Sequence, residues 1–239
     1  MKQTGIGELL AQAFQLFRRN LLFVLALTVP VVVIVTGVTA LGLGELGARY
    51  HASLPQRDLY IDLAANELVT APLITSILAR WVLLRSRGAS VTAHDLVATA
   101  LEAFPFTLLV IVAWLVAVVL AGSLFILPGI YLLVSWYFVV QAVVIDGDRG
   151  FAPIIRSAGY VRRRWWRTAG LLLALQLGAA IPAELIVLIF TSLARSANAE
   201  AIVVLGNIVG FALTLPFQAI GTTLYYLQIR EAAAQAGRP

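Results

Sequence analysis

The 239-residue chain has no cysteine, one methionine, two histidines, and charged side chains at only 12% of its positions. Without cysteine there can be no disulfide, iron–sulfur cluster or thiol nucleophile. The histidines, His51 and His94, fall in different polar segments, which the span pattern below assigns to opposite sides of a membrane. No Ser-His-Asp arrangement, zinc spacing or phosphate-cradling glycine loop is present. Asp146 and Asp148 stand two apart beside Arg149, with no third carboxylate or histidine nearby, and read as a solvated turn rather than a metal site. The expectation is therefore a protein with no catalytic residue, no metal and no cofactor, and not an enzyme.

A soluble domain carries about 25% charged and 45–50% apolar residues. Here the apolar share is 61%, and folding in water would leave a large greasy surface. Lipid as solvent removes that conflict. Several runs reach the roughly 20 apolar residues needed to cross a bilayer, at about Leu21–Leu43, Leu63–Leu84, Phe106–Leu127, Ile130–Ile145, Thr168–Leu193 and Ala201–Ile229. The first run is too long for the apolar core of a cleavable signal and reads as a true span. Pro128-Gly129 alone separates the third and fourth runs, so these predict a tight hairpin turning at the outer interface.

Three further segments predict interfacial helices. Residues 4–19 space Ile6, Leu9, Leu10, Ala13, Phe14 and Phe17 along one helical face, opposite Glu8, Gln12, Gln15 and Arg19. Thr92-Ala93-His94-Asp95 has the pattern of a capping box and opens a short helix over 93–103, ending before Pro105. Residues 151–166 combine an apolar stripe (Phe151, Ile154, Ile155, Ala158, Val161, Trp165) with arginines off that stripe. The tail from Arg230 is polar and reads as loose. The fold class expected is all-α, a single polytopic domain over 1–239 with six transmembrane helices plus these amphipathic ones.

Basic residues orient the spans. Fourteen of the seventeen fall on the side of both termini, six of them within 146–167, against Arg49, Arg57 and Arg195 on the other. Positive charge is retained on the cytoplasmic face, so both termini are expected in the cytoplasm of a bacterial cell, with the chain in its inner membrane. Nucleic-acid binding would require a soluble basic face with stacking aromatics, and no soluble domain remains to carry one.

Two groups of residues are candidates for function. The basic face of Arg156, Arg162, Arg163, Arg164 and Arg167 should attract anionic headgroups, at roughly 1 kcal/mol per basic residue near the surface. Inside the spans, Glu184 is an ionisable group in apolar surroundings, which costs roughly 2.5–3.5 kcal/mol near a helix centre and marks a functional candidate. Gln141, Gln176, Asn207 and Gln218 are the accompanying amides; they read either as lining for a pathway or as hydrogen-bonded glue between helices. Gly206 and Gly210 stand at GxxxG spacing in the last run.

Leu127-Pro128-Gly129-Ile130-Tyr131, Ile145-Asp146, Arg156-Ser157 with Trp166-Arg167, and the closing Leu224-Tyr225-Tyr226-Leu227-Gln228-Ile229-Arg230 together resemble a bacterial family of six-span proteins. This is the membrane domain attached to some glycerophosphodiester phosphodiesterases, which also has many free-standing relatives. The resemblance implies six helices with cytoplasmic termini and brings no catalysis, because the phosphodiesterase chemistry of two-domain relatives resides in a separate soluble barrel. Gln228 departs from the pattern, where an acid is expected. The functional expectation is a non-enzymatic module that binds anionic lipid, a membrane-protein partner or its own copies, accessory to envelope lipid homeostasis. The alternative is a small transporter built around Glu184 and the buried amides.

Overall fold

A computed structural model describes residues 5–50, 64–197 and 201–235. Among these residues the chain is all-α, and six helices are long and apolar enough to cross a membrane. The polar segment around His51, Arg57 and Asp58 lies outside the described residues, as do Lys2 and Arg238.

Helix α1 (Ile6–Arg19) is the amphipathic helix expected, and it buries Leu9 and Ala13 against the bundle. Asn20 alone joins it to α2 (Leu21–Tyr50). Its side-chain amide donates to the Leu16 carbonyl at 2.8 Å, satisfying one of the acceptors that a helix end leaves open. Helix α3 (Ala71–Ser86) is entered through a π turn, Asn66–Thr70. Pro72 lies just after that π turn, where the hydrogen-bond pattern shifts back to α.

The structure corrects five expectations about the middle and end of the chain. The 93–103 segment is not a separate helix. Thr92 caps α4, its hydroxyl accepting the Asp95 N–H at 3.2 Å, but the helix then runs unbroken from Ala93 to Leu124 through Pro105. Leu96, Ala100, Ala103, Thr107 and Val110 form one buried stripe across that proline, so packing outweighs the single lost hydrogen bond.

The hairpin turns at Phe125, not at Pro128-Gly129. Nor does it turn at the interface opposite the Arg162-Arg163-Arg164 turn, since Tyr131, six residues on, stacks at 6.0 Å on Trp165 beside Arg164. Phe125 is extended (φ −153°, ψ 137°), and Pro128 lies in the first turn of α5 (Ile126–Ser135). Gly129 is needed for a different reason: a Cβ there would lie 2.8 Å from the Cα of Gly122 and 3.1 Å from its nitrogen. The two backbones touch. The tip residues Leu124, Phe125, Ile126 and Leu127 are all exposed and all apolar.

The fourth span is not one helix. After α5 the chain loosens at Trp136–Phe138, forms one turn, α6 (Val139–Gln141), and closes in a π turn, Ala142–Asp146. The break is bridged by α7 (Ala152–Val161), whose buried Ser157 accepts the Phe138 N–H at 3.2 Å and donates to the Ser135 carbonyl at 2.9 Å. One hydroxyl thus satisfies both backbone groups that the break frees, which buried backbone requires. Helix α7 therefore packs by Pro153, Ser157 and Val161 against the protein and leaves Phe151 and Ile155 exposed.

Trp165 and Trp166 belong to the next helix, α8 (Trp165–Ala197), not to the interfacial one. The last helix, α9 (Ala201–Gln235), runs past Ile229, so the expected loose tail begins as helix. Helices α8 and α9 pack along their length; a Cβ on Gly206 would sit 2.5 Å from Phe190, and one on Gly221 2.5 Å from Leu175. Gly210 meets only ordinary contacts, so the second close approach comes from Gly221 and not from the GxxxG partner.

Gly129→Ala is expected to lower thermal stability in detergent. Gly122→Ala, whose Cβ would meet only the Gly129 Cα at 4.0 Å, should be nearly neutral; equal effects would remove the close approach as the hairpin's determinant. Ser157→Ala leaves a buried donor and acceptor unpaired, at about 1–3 kcal/mol per group. It should therefore cost clearly more than Ser192→Ala, since Ser192 only hydrogen-bonds within its own helix, when both are measured by chemical denaturation.

Candidate functional site

Two structures of opposite character flank α7: a closed ionic cluster and an open basic turn. The cluster grows from the π turn that ends the fourth span. Its extra residue re-aims the helix terminus, and Gly147, at φ +74°, reverses the chain in a conformation that side chains rarely adopt. Asp146 and Asp148 are thereby turned inward, and their side chains are only 6% and 9% exposed. The solvated turn expected from the sequence is instead the most heavily paired charge site among the described residues.

Arg156 of α7 grips Asp148 through two hydrogen bonds, the Nη2 one at 2.9 Å, and lies 3.8 Å from Asp146. Arg230 of α9 meets the other Asp146 oxygen, Oδ1, at 2.8 Å. The Tyr226 hydroxyl donates to Asp146 Oδ2. Asp148, then the Tyr160 hydroxyl, push the Arg156 guanidinium above its ordinary pKa, with burial acting against them, so it is charged at any accessible pH. Around these charges the rings of Phe138, Tyr225, Tyr226 and Tyr160 pack at centroid distances of 5.7–5.9 Å. The Thr168 hydroxyl lies 3.0 Å from that of Tyr225, which adds α8 to the assembly. Two acids balance two arginines, and no charge is left over for an external ligand.

Arg156, one of the five arginines of the predicted basic face, is therefore an internal counterion. Arg149 is exposed, with its guanidinium tied back to the protein 3.0 Å from the Asp148 carbonyl and 4.5 Å above the Phe106 ring. Arg162 and Arg163 are exposed, while Arg164 and Arg167 are partly exposed. The first three make the turn between α7 and α8, fastened by the Arg164 N–H to the Val161 carbonyl at 2.7 Å. No acidic residue occurs between Asp148 and Glu184.

The intramembrane candidates do not converge. Glu184 is exposed on the outer face of α8, amid Ile181, Leu185 and Leu188 at 56–63% exposure. Gln176 accepts from the Gln218 amide at 3.1 Å, and Gln141 donates to the Thr222 hydroxyl at 3.2 Å. Three of the four amides thus tie the fourth, fifth and sixth apolar segments together. Asn207 is partly buried in α9, eleven residues from Gln218, or about 16 Å along the helix. A carboxylate that the sequence reading passed over, Glu67, lies on the exposed side of the π turn before α3.

Asp146, Asp148, Tyr226 and Arg230 were likewise absent from the candidate set. Their signal was present: two acids at the end of an apolar run require counterions when drawn into it. Asp146, Arg156-Ser157 and Tyr225-Tyr226 with Arg230, residues from three of the four segments that carry the family resemblance, meet here in space. No family model, curated protein or solved structure matches the chain.

Asp146→Asn should destabilise the fold by about 3–5 kcal/mol, the range for removing one partner of a buried pair, as read from thermal or denaturant unfolding. Asp148→Ala and Arg156→Ala should each be costly yet sub-additive when combined. Additive losses would show that the pair is uncoupled.

Proposed function

We propose that the chain is a non-enzymatic, multi-pass membrane module of the bacterial cytoplasmic membrane that binds anionic lipid through the turn Arg162-Arg163-Arg164. In this reading both termini are cytoplasmic and the turn lies at the headgroup level. One observation carries it: the arginines of this region divide into two kinds. Arg156 is paired with Asp148 within the protein, whereas Arg162 and Arg163 are exposed in a stretch without acids. Exposed cationic side chains beside a span, with no acid nearby in sequence, complement anionic headgroups. Trp165 and Trp166 follow directly, in keeping with the aromatic preference for the interface. The family resemblance suggests envelope lipid homeostasis as the setting, with a membrane-protein partner or a second copy as further contacts.

Transport built on Glu184 finds less support, because that carboxylate is exposed among apolar side chains while Gln141, Gln176 and Gln218 are engaged with other partners. At roughly 1 kcal/mol per basic residue, replacing Arg162, Arg163 and Arg164 together by Gln should cut the preference for phosphatidylglycerol over phosphatidylcholine by about ten- to hundred-fold in competitive nanodisc reconstitution. Glu184→Gln should leave that preference intact. An unchanged preference in the triple variant overturns the reading.

A further inference from the structure

An open groove of about 730 Å³ runs between the start of α5 and the start of α8. Leu127, Ile130, Tyr131, Trp165 and Trp166 are among its walls, which are almost wholly apolar. Its width is fixed by three contacts. The Trp165 indole N–H points at the Tyr131 carbonyl at 3.4 Å, the Tyr131 and Trp165 rings stack at 6.0 Å, and Trp166 stands edge-on to Trp165 at 4.8 Å. One wall thus follows without a break from the basic turn, since Arg164 is the residue before Trp165.

We infer that this groove seats an acyl chain of one anionic phospholipid, whose phosphate is held by Arg162 and Arg163. The inference rests on the lipid-binding reading above and narrows it from a charged surface to a single seat. Its volume falls within the roughly 300–1,000 Å³ typical of small-molecule sites. The groove is apolar along its length, and the exposed Arg162 and Arg163 stand just before its Trp165-Trp166 wall in the chain.

A partner helix fits less well. Close helix association in lipid uses small residues at the contact, and the small residues here, Gly122 and Gly129, already face each other inside the hairpin. The walls offer Leu, Ile, Tyr and Trp instead. A protein partner would also have to supply acids inside the bilayer to meet the arginines.

The test is native mass spectrometry of the delipidated full chain, titrated with palmitoyl-oleoyl-phosphatidylglycerol and, separately, with its phosphatidylcholine counterpart. The wild type is expected to retain one phosphatidylglycerol at least ten-fold more tightly than later adducts, and several-fold more tightly than phosphatidylcholine. Ile130→Trp, and independently Leu127→Trp, fill the groove at exposed positions, leave the arginines in place, and should abolish that first tight adduct. Leu109→Trp, on an exposed apolar face elsewhere, should not. Melting curves establish that each variant is folded. If the groove-filling variants keep the tight lipid while the triple arginine variant loses it, the seat is wrong and the lipid-binding reading stands. If all variants bind as the wild type does, both fall. A dimer in the wild type that Ile130→Trp dissociates would identify the occupant as a second copy and overturn the seat.

Discussion

Asp146 joins three elements of the chain: the end of the fourth apolar segment, the α7 helix and the last helix. It does so with a single carboxylate, which meets Arg230 at 2.8 Å, lies 3.8 Å from Arg156 and accepts from Tyr226. In a low-dielectric interior such a group is tolerated only when its charge and its lone pairs are both met. The consequences spread outward. Placing Asp146 requires the π turn; the π turn requires Gly147 to reverse the chain; and the reversal brings Ser157 to the broken span that it bridges. The loosened backbone at Trp136–Phe138 is thus sustained by the same helix that supplies Arg156. A covering of four aromatic rings seals the arrangement.

Much of the helical architecture was legible because a bilayer imposes a simple criterion of length and hydropathy. Helix α1 and the Thr92 cap were also legible, since periodicity and capping are local. What escaped was tertiary. Pro105 looked like a terminator, yet a continuous buried stripe carries α4 across it. Pro128-Gly129 looked like a turn, yet the proline opens a helix and the glycine admits a neighbouring backbone. Arg156 was indistinguishable by spacing from Arg162, although one is a counterion and the other exposed. Glu184 drew attention because its sequence neighbours are apolar, but those neighbours face outward with it.

The division of labour among the arginines gives the region around α7 its polarity. Charges on one side of that helix are internal and balanced, while those at its end are unbalanced and open. Fixing Arg156 holds α7 in register, and so fixes where the basic turn stands relative to the tryptophans that follow it. The backbone of the turn is set before any headgroup arrives, by the Arg164 N–H bond to the Val161 carbonyl at 2.7 Å.

The hairpin tip has a bearing on how the chain enters the membrane. From Ala103 to Ile145 there is no charged residue and no histidine, and the turn exposes Leu124, Phe125, Ile126 and Leu127, flanked by Pro128 and by Ser123, whose hydroxyl donates to the Leu120 carbonyl. Most hairpins must drag a polar loop through hydrocarbon, at a cost that grows with each ionised group. This one has no such cargo. Its two arms meet glycine to glycine, and the polar groups to be desolvated at the tip are the backbone carbonyls and amides left open at the two helix ends around Phe125.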